Sequence, residues 1–259
     1  MLPIRDENPT LRPALTTLVL LAANALVWVV VQGMGTNPAL VESICRLGLI
    51  PGELLGRLPS GTLVRLGPDY LCSIEASGST WTAISSMFMH GGWMHLIGNM
   101  WFLWIFGNNV EDVMGRFRFV VFYLLCGLAA AGAQMLSNPA SSIPMVGASG
   151  AIGGVMGAYA VLFPKVRVQT LLILGFLVRM INVPAWGMLA YWFGFQILMG
   201  LPSLGTESGG VAFWAHVGGF LAGVVLMPLF RNADLVAAHR AASARALPNI
   251  GWPRSTYTR

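Results

Sequence analysis

The chain is 259 residues long and carries few charges, since 56% of its residues are hydrophobic and only 10% are charged. A typical soluble domain is about 25% charged, so this composition argues against a soluble enzyme and against a disordered chain. It favours a polytopic membrane protein. We therefore interpret the net charge of +5 as arginines that face a cytoplasmic leaflet, and not as a surface that binds nucleic acid.

Six apolar segments approach the roughly 20 residues that a helix needs to cross a bilayer. In chain order they are Ala14–Val31, Gly92–Phe106, Phe119–Met135, Ser149–Phe163, Ala185–Leu201 and Val211–Phe230. A seventh apolar stretch, Val168–Val178, is short and has cations at both ends, so we expect an interfacial or re-entrant piece. The predicted fold is an all-α bundle of six transmembrane helices with a long first external loop.

The cations divide unevenly between the two sides of this arrangement. Twelve of the fifteen fall on one side, which by the positive-inside rule is the cytoplasm. They are Arg5, Arg12, Arg116, Arg118, Lys165, Arg167, Arg179, Arg231, Arg240, Arg245, Arg254 and Arg259. Both termini are thus predicted to be cytoplasmic. We expect one domain over residues 1–259, with a core of about 14–230 and a basic tail, 231–259, in which His239 is solvated.

The first external loop, roughly residues 32–90, contains Cys45 and Cys72. The two thiols could pair in an oxidising compartment. The alternative is that they remain unlinked.

Polar residues at membrane depth are costly and usually functional. The second, fourth and sixth helices all begin on the external side, so their first turns share one depth. His95 and Asn99 lie near the start of the second helix, Ser149 opens the fourth, and His216 lies in the first turns of the sixth. We predict that these four side chains converge in the outer half of the bilayer.

Glycines indicate which helices touch, because small residues at four-residue spacing let membrane helices approach closely. Such glycines lie on the same helical faces as Ser149 and His216. They are Gly153, Gly157, Gly219 and Gly223. The motif alone is common, but its phase with Ser149 and His216 predicts that the fourth and sixth helices pack along these faces.

A serine hydroxyl becomes a good nucleophile when a base removes its proton, and His216 is the natural base for Ser149. No acidic residue occurs between Val113 and Thr206, so we expect a Ser-His dyad without a carboxylate. The Ser149 backbone N–H and the side chains of His95 and Asn99 are candidate donors to an oxyanion. A zinc site is the competing chemistry, but no HExxH pattern or complete ligand set is present; we predict no metal and no cofactor.

Several motifs, in this order and spacing, resemble those of the rhomboid intramembrane serine proteases, from about Trp81 to Gly223. The matching stretches are His90-Gly-Gly-Trp-Met-His95-Leu-Ile-Gly-Asn99, Glu111-x-x-x-Gly115, Gly147-Ala-Ser149-Gly and Ala215-His216-x-x-Gly219-x-x-x-Gly223. The opening Pro3-Ile4-Arg5-Asp6 resembles many bacterial members, which implies a bacterial plasma membrane.

The resemblance implies that Ser149 is the nucleophile and His216 the general base, in a motif that includes Gly147. It implies that His95 and Asn99 help to bind the oxyanion and that His90 shapes the adjacent loop. The implied partners are the lipid bilayer and transmembrane protein substrates, which would be cut near the outer face, often after a small residue. The implied chemistry needs no cofactor, and no nucleic acid is involved.

The sequence departs from the family pattern at two places. Thr82 follows Trp81 where family members often have arginine, and Gly153 stands where an aromatic ring commonly packs on the catalytic histidine. We expect another ring, such as Trp214 or Phe220, to support His216 instead, or the imidazole to be held less rigidly. The alternatives are a catalytically silent relative that binds membrane clients and a transporter, which the absence of repeats disfavours.

Overall fold

The computed structural model describes residues 1–66, 70–74, 78–204 and 210–246, and within these ranges the chain is mostly helical. The helices are α1 (Leu15–Val30), α2 (Ala39–Leu47), α3 (Pro51–Leu54), α4 (Thr82–Ser85), α5 (Trp93–Met114), α6 (Arg116–Ser137), α7 (Ser149–Leu162), α8 (Ala185–Gly200), α9 (Phe213–Phe230) and α10 (Ala233–Ala246). The strands are β1 (Leu2–Asp6), β2 (Leu63–Arg65), β3 (Leu71–Ser73), β4 (Arg167–Leu174) and β5 (Leu177–Pro184).

Each of the six predicted apolar segments overlaps one helix, namely α1, α5, α6, α7, α8 or α9, and α5 and α6 extend beyond the predicted bounds. Within the described residues, α6 and α9 are long and apolar enough to cross a membrane by length and composition. Helices α1 and α7 are also apolar but shorter.

The expectation of an all-α chain is wrong for the stretch Val168–Val178. The prediction that this stretch is not a seventh transmembrane helix agrees with the structure. The stretch lies in an antiparallel hairpin of β4 and β5, and β1 pairs with β4 to complete a three-stranded sheet. Gly175 has a φ of +57° and forms the two-residue turn with Phe176. Glycine adopts this left-handed backbone without a steric cost, which allows the tight hairpin.

One end of the bundle gathers the segments that were predicted to be cytoplasmic. The N-terminal strand pairs with β4, which follows α7. The backbone N–H of Asn232 donates to the Val113 carbonyl at 2.8 Å, and the Arg118 guanidinium donates to the Arg231 carbonyl at 3.3 Å. The N-terminal segment, the α5–α6 and α7–α8 connections and the start of the tail therefore lie together.

Buried carboxylates hold the start of α1 at this end. Glu111 accepts hydrogen bonds from the backbone N–H groups of Thr16 and Thr17, at 2.9 and 2.8 Å. Asp112 accepts one from the Leu11 N–H at 2.7 Å and is 3.5 Å from the Arg12 Nε. Because both acidic groups satisfy donors at the beginning of a helix, their role here is structural.

The loop that follows α1, which was predicted to be external, is joined to the opposite end of the bundle. Leu49 and Met145 exchange backbone hydrogen bonds of 3.0 and 2.7 Å, which link the loop to the segment that precedes Ser149. Cys45 and Cys72 are bonded as a disulfide, with 5.7 Å between their Cα atoms. At Trp81-Thr82, the Thr82 hydroxyl donates to the Ser79 carbonyl at 2.7 Å.

The tail begins as α10 and packs on the bundle, so the expectation that His239 is solvated is wrong. Its side chain is 2% exposed, and its ring centroid lies 4.9 Å from that of Phe163. Burial lowers the pKa of His239, since a desolvated imidazole resists protonation. Arg254 and Arg259 lie outside the described residues.

The predicted glycines lie where α7 and α9 meet. A Cβ at Gly219 would collide with the carbonyl oxygen of Gly150, and one at Gly223 with that of Gly154. A Cβ at Gly157 would collide with the backbone of α9. The two backbones therefore touch along this line, which is the arrangement that small residues permit in membrane helices.

We predict that Gly223→Ala destabilises the protein by about 1–3 kcal/mol, because the new methyl must push apart two packed backbones. The matched control is Gly132→Ala on α6, where nothing lies within 4 Å of an added Cβ; this change should be neutral or stabilise by up to about 1 kcal/mol. Denaturant unfolding in detergent micelles measures both. Equal changes in the free energy of unfolding for the two variants would contradict the close packing of α7 against α9.

Asp6 at the end of β1 joins the sheet to α7. The Tyr159 hydroxyl donates to its carboxylate at 2.5 Å, and Asn8 Nδ2 donates to the Tyr159 oxygen at 3.4 Å. Burial raises the pKa of Asp6 from 3.8 to about 6, although the Tyr159 hydrogen bond opposes this rise.

Because the carboxyl binds its proton more tightly in the folded state, Asp6 contributes stability below about pH 4 that is lost as the pH rises through about 6. We predict that Asp6→Asn, which cannot ionise, gains thermal stability relative to the unsubstituted chain as the pH rises over this range. Unfolding temperatures across the range test this. Parallel pH profiles for the two proteins would count against it.

Candidate active site

Ser149 is the first residue of α7 and follows a glycine that turns the chain sharply. Gly147 has a φ of +129°, a backbone conformation that L side chains rarely adopt, and its N–H donates to the Ser86 carbonyl at 2.9 Å. The first N–H groups of a helix have no partner within the helix. The backbone at Ser149 is therefore placed to donate a hydrogen bond into the space around its own hydroxyl.

His216 lies in the first turn of α9 and contacts Ser149 directly. The His216 Nε2 and the Ser149 Oγ are 2.8 Å apart, which is hydrogen-bonding distance. The close approach of α7 and α9 brings the two side chains together at the same end of both helices.

The opposite edge of the His216 ring contacts Gln196 of α8, a residue that the sequence interpretation missed. The His216 Nδ1 lies 2.8 Å from the Gln196 Oε1, and Gln196 is 6% exposed. A single amide in the otherwise apolar segment Ala185–Gly200 was the available signal, because polar groups at membrane depth usually have a function.

The ring that packs on His216 belongs to Trp192, with 5.8 Å between the ring centroids and 34° between the planes. Another ring therefore supports the histidine, as expected, but neither of the two named examples, Trp214 and Phe220, does so directly. Trp214 donates its indole N–H to the Gly200 carbonyl at 3.0 Å, and Phe220 packs behind Trp192 at 6.2 Å.

Position 153 has no room for an aromatic ring. A Cβ at Gly153 would already lie 3.1 Å from the His216 carbonyl oxygen. Trp192 reaches the histidine from α8 instead, so the glycine on α7 and the tryptophan on α8 form a compatible pair.

His95 reaches the site from the first turn of α5. Its Nδ1 accepts a hydrogen bond from the Gly91 N–H at 3.3 Å, so a neutral ring carries its proton on Nε2. A Cβ at Gly147 would lie 2.7 Å from this Nε2. The Nε2–H is thus next to the turn that precedes Ser149.

Asn99 lies one helical turn after His95 and is 7% exposed. Its Nδ2 is buried and has no hydrogen-bond partner among the described residues. Buried polar atoms are nearly always paired, so this unpaired donor, on a residue that lines the same cavity as Ser149, is a candidate to bind a ligand.

His90 is fully buried and lies behind His95, with 5.2 Å between the ring centroids. Its backbone N–H and C=O are both bonded to the buried side chain of Gln32, at 2.8 Å each. His90 therefore lies behind the site, against the ring of His95, and Gln32 is a second residue that the sequence interpretation missed.

A cavity of about 720 Å³ connects these groups. It is lined by Ser149, His216, His95 and Asn99, and by apolar side chains that include Trp192. Its volume lies in the range of sites that bind ligands or peptide side chains. Within the described residues, no group of three His, Cys, Asp or Glu side chains could hold a metal, and Glu207 lies outside those residues.

Comparison with known proteins identifies the family to which this fold and site belong. The Rhomboid domain family model matches residues 77–233. The chain belongs to the rhomboid family. These are integral membrane proteins, and the family includes proteases as well as inactive rhomboid-like members.

Three relatives show the extent of the similarity of this rhomboid chain. RHOMBOID-like protein 5 of Arabidopsis thaliana is 33% identical over 150 residues, which cover 54% of this chain and 48% of the relative. Rhomboid protease GluP of Bacillus subtilis is 36% identical over 103 residues, 40% of this chain and 20% of the relative. Mitochondrial Rhomboid protein 1 of Saccharomyces cerevisiae is 29% identical over 148 residues, which cover 55% of this chain and 39% of the relative. The matched regions thus span about half or less of these relatives.

Proposed function

We propose that this rhomboid protein is an intramembrane serine endopeptidase that cleaves transmembrane segments of other proteins with a dyad of Ser149 and His216. The observation that carries the proposal is the 2.8 Å contact between the Ser149 Oγ and the His216 Nε2. That contact is the arrangement in which a histidine can remove the proton of a serine hydroxyl.

The proposed reaction proceeds through two tetrahedral states. The His216 Nε2 takes the Ser149 proton as the Oγ attacks the scissile carbonyl carbon, and it then gives that proton to the departing amine. Water hydrolyses the resulting acyl-enzyme after giving its own proton to His216. The carboxylate is released and the serine hydroxyl is restored.

In this mechanism the developing oxyanion is stabilised by donors that surround the serine. The supporting features are the unpaired Asn99 Nδ2, the Nε2–H of His95 beside Gly147, and the Ser149 backbone N–H at the start of α7. Donors already in place act strongly in a site shielded from water. His90 supports this set by packing behind His95.

We further propose that α1, α5, α6, α7, α8 and α9 cross the membrane with both termini in the cytoplasm. The uneven distribution of cations supports this orientation, as does the contact of β1, the α5–α6 connection and the tail at one end of the bundle. Ser149 then lies in the outer half of the bilayer, where substrates enter from the membrane. A bacterial plasma membrane stays a prediction, since relatives include mitochondrial proteins.

We predict that Ser149→Ala and His216→Ala each abolish cleavage of a model transmembrane substrate, with rates at least about a thousandfold lower. The purified chain should react with a fluorophosphonate probe at Ser149, because only an activated serine reacts well. Ser137→Ala at the end of α6 is the matched control and should cleave normally. An unsubstituted chain that neither cleaves nor reacts would favour the silent client-binding relative.

We predict that Asn99→Ala lowers kcat about a hundredfold with little change in KM, because an oxyanion donor acts mainly in the transition state. Asn108→Ala is the control on the same helix, since that side chain bonds Thr10 at the far end of α5. Steady-state kinetics in proteoliposomes separate the two constants. A rise in KM alone would assign Asn99 to substrate binding instead.

A further inference from the structure

Gln196 contacts the edge of the His216 ring that faces away from Ser149. An amide carbonyl oxygen can only accept a hydrogen bond. The 2.8 Å contact between the Gln196 Oε1 and the His216 Nδ1 therefore requires that the neutral ring carry its proton on Nδ1. The other nitrogen, Nε2, then presents its lone pair to the Ser149 hydroxyl, 2.8 Å away.

We propose that Gln196 is a positioning residue that holds His216 in the Nδ1–H tautomer, so that Nε2 is the base toward Ser149. The inference rests on the proposed function and adds a third member to its hydrogen-bonded chain. In familiar triads an acidic residue takes this place and fixes the tautomer. Here a neutral amide occupies it.

The neutral amide suits the surroundings of the site. Gln196 is 6% exposed and lies in an apolar helix, where an ionised carboxylate would carry a large desolvation cost. As His216 accepts the serine proton it becomes positively charged, and its Nδ1–H then donates a stronger, charge-assisted bond to the amide oxygen. Gln196 thus stabilises the transition state more than the ground state.

Trp192 and Gln196 act on the ring together because they are four residues apart on α8 and share one face of the helix. Trp192 contacts the ring face, at 5.8 Å between centroids, and Gln196 contacts its edge. The face contact leaves rotation within the ring plane free, and the hydrogen bond fixes that rotation. Both restraints come from the helix that follows the β4–β5 hairpin.

Kinetics on variants of position 196 separate positioning from packing. Gln196→Leu fills similar volume without an acceptor, so kcat should fall about ten- to a hundredfold with KM nearly unchanged. Gln196→Glu keeps an acceptor oxygen, and its buried carboxyl can stay protonated and so avoid the desolvation cost of an ionised group; it should recover most of the lost rate relative to Gln196→Leu. Leu198→Ala, at a 62% exposed position on the same helix, is the control and should match the unsubstituted chain.

The kinetic result that overturns the proposal is a Gln196→Leu chain that folds and cleaves within about twofold of the unsubstituted rate. Equal defects in the Leu and Glu variants would also overturn it, because they would show a packing effect. Fluorophosphonate labelling of Ser149 in the same samples shows whether the site itself reacts.

A spectroscopic measurement reads the tautomer of His216 directly and needs no substrate to be cut. The ¹⁵N resonances of a neutral imidazole distinguish the Nδ1–H tautomer from the Nε2–H tautomer, and a spectrum of His216→Ala identifies the His216 signals. We expect the Nδ1–H form in lipid bilayers; a predominant Nε2–H form overturns the proposal. If cleavage and labelling are both absent while the ring is Nδ1–H in the unsubstituted chain and loses that form in Gln196→Leu, the proposed function fails but the role of Gln196 in fixing the tautomer stands.

Discussion

The direct contact between the backbones of α7 and α9 determines the geometry of the site. Ser149 and His216 are 67 residues apart in the chain, and each lies in the first turn of its own helix. Their side chains are short, so they meet only if the helix axes approach closely, and Gly219 and Gly223 allow this because a Cβ at either would strike the opposing backbone. Close packing of small residues is the main source of helix association available in lipid, and here it also sets the distance between two reactive groups.

The described part of the site contains few polar groups, and most of those at its centre are hydrogen-bonded to one another. One hydrogen-bonded chain runs from Ser149 through His216 to Gln196. The Nδ2 of Asn99 is buried and has no hydrogen-bond partner among the described residues. An unpaired donor is costly in a shielded site, and this is the observation on which the proposed oxyanion role of Asn99 depends.

The distribution of cations predicts from the sequence which helices begin on the same side of the membrane. Because the first turns of such helices lie at one depth, it also predicts that Ser149, His216, His95 and Asn99 lie close to one another. Periodicity then identified the glycine faces. Gln196 and Trp192 were missed because their role depends on how α8 is rotated against α9, which no spacing in the sequence specifies. The β4–β5 hairpin was missed for a different reason: a continuous apolar run does not distinguish a strand from a helix, and strand pairing with β1 involves residues more than 160 positions away.

The sheet gives the N-terminal segment an influence on chemistry that it does not touch. Strand β1 pairs with β4, β4 pairs with β5, and β5 runs directly into α8. Helix α8 in turn carries both side chains that orient the His216 ring. Residues 2–6 are therefore connected to the His216 ring through the sheet and α8, so we expect that a sequence change in this strand, or a fusion partner joined to it, alters the orientation of the proposed general base from the opposite end of the bundle.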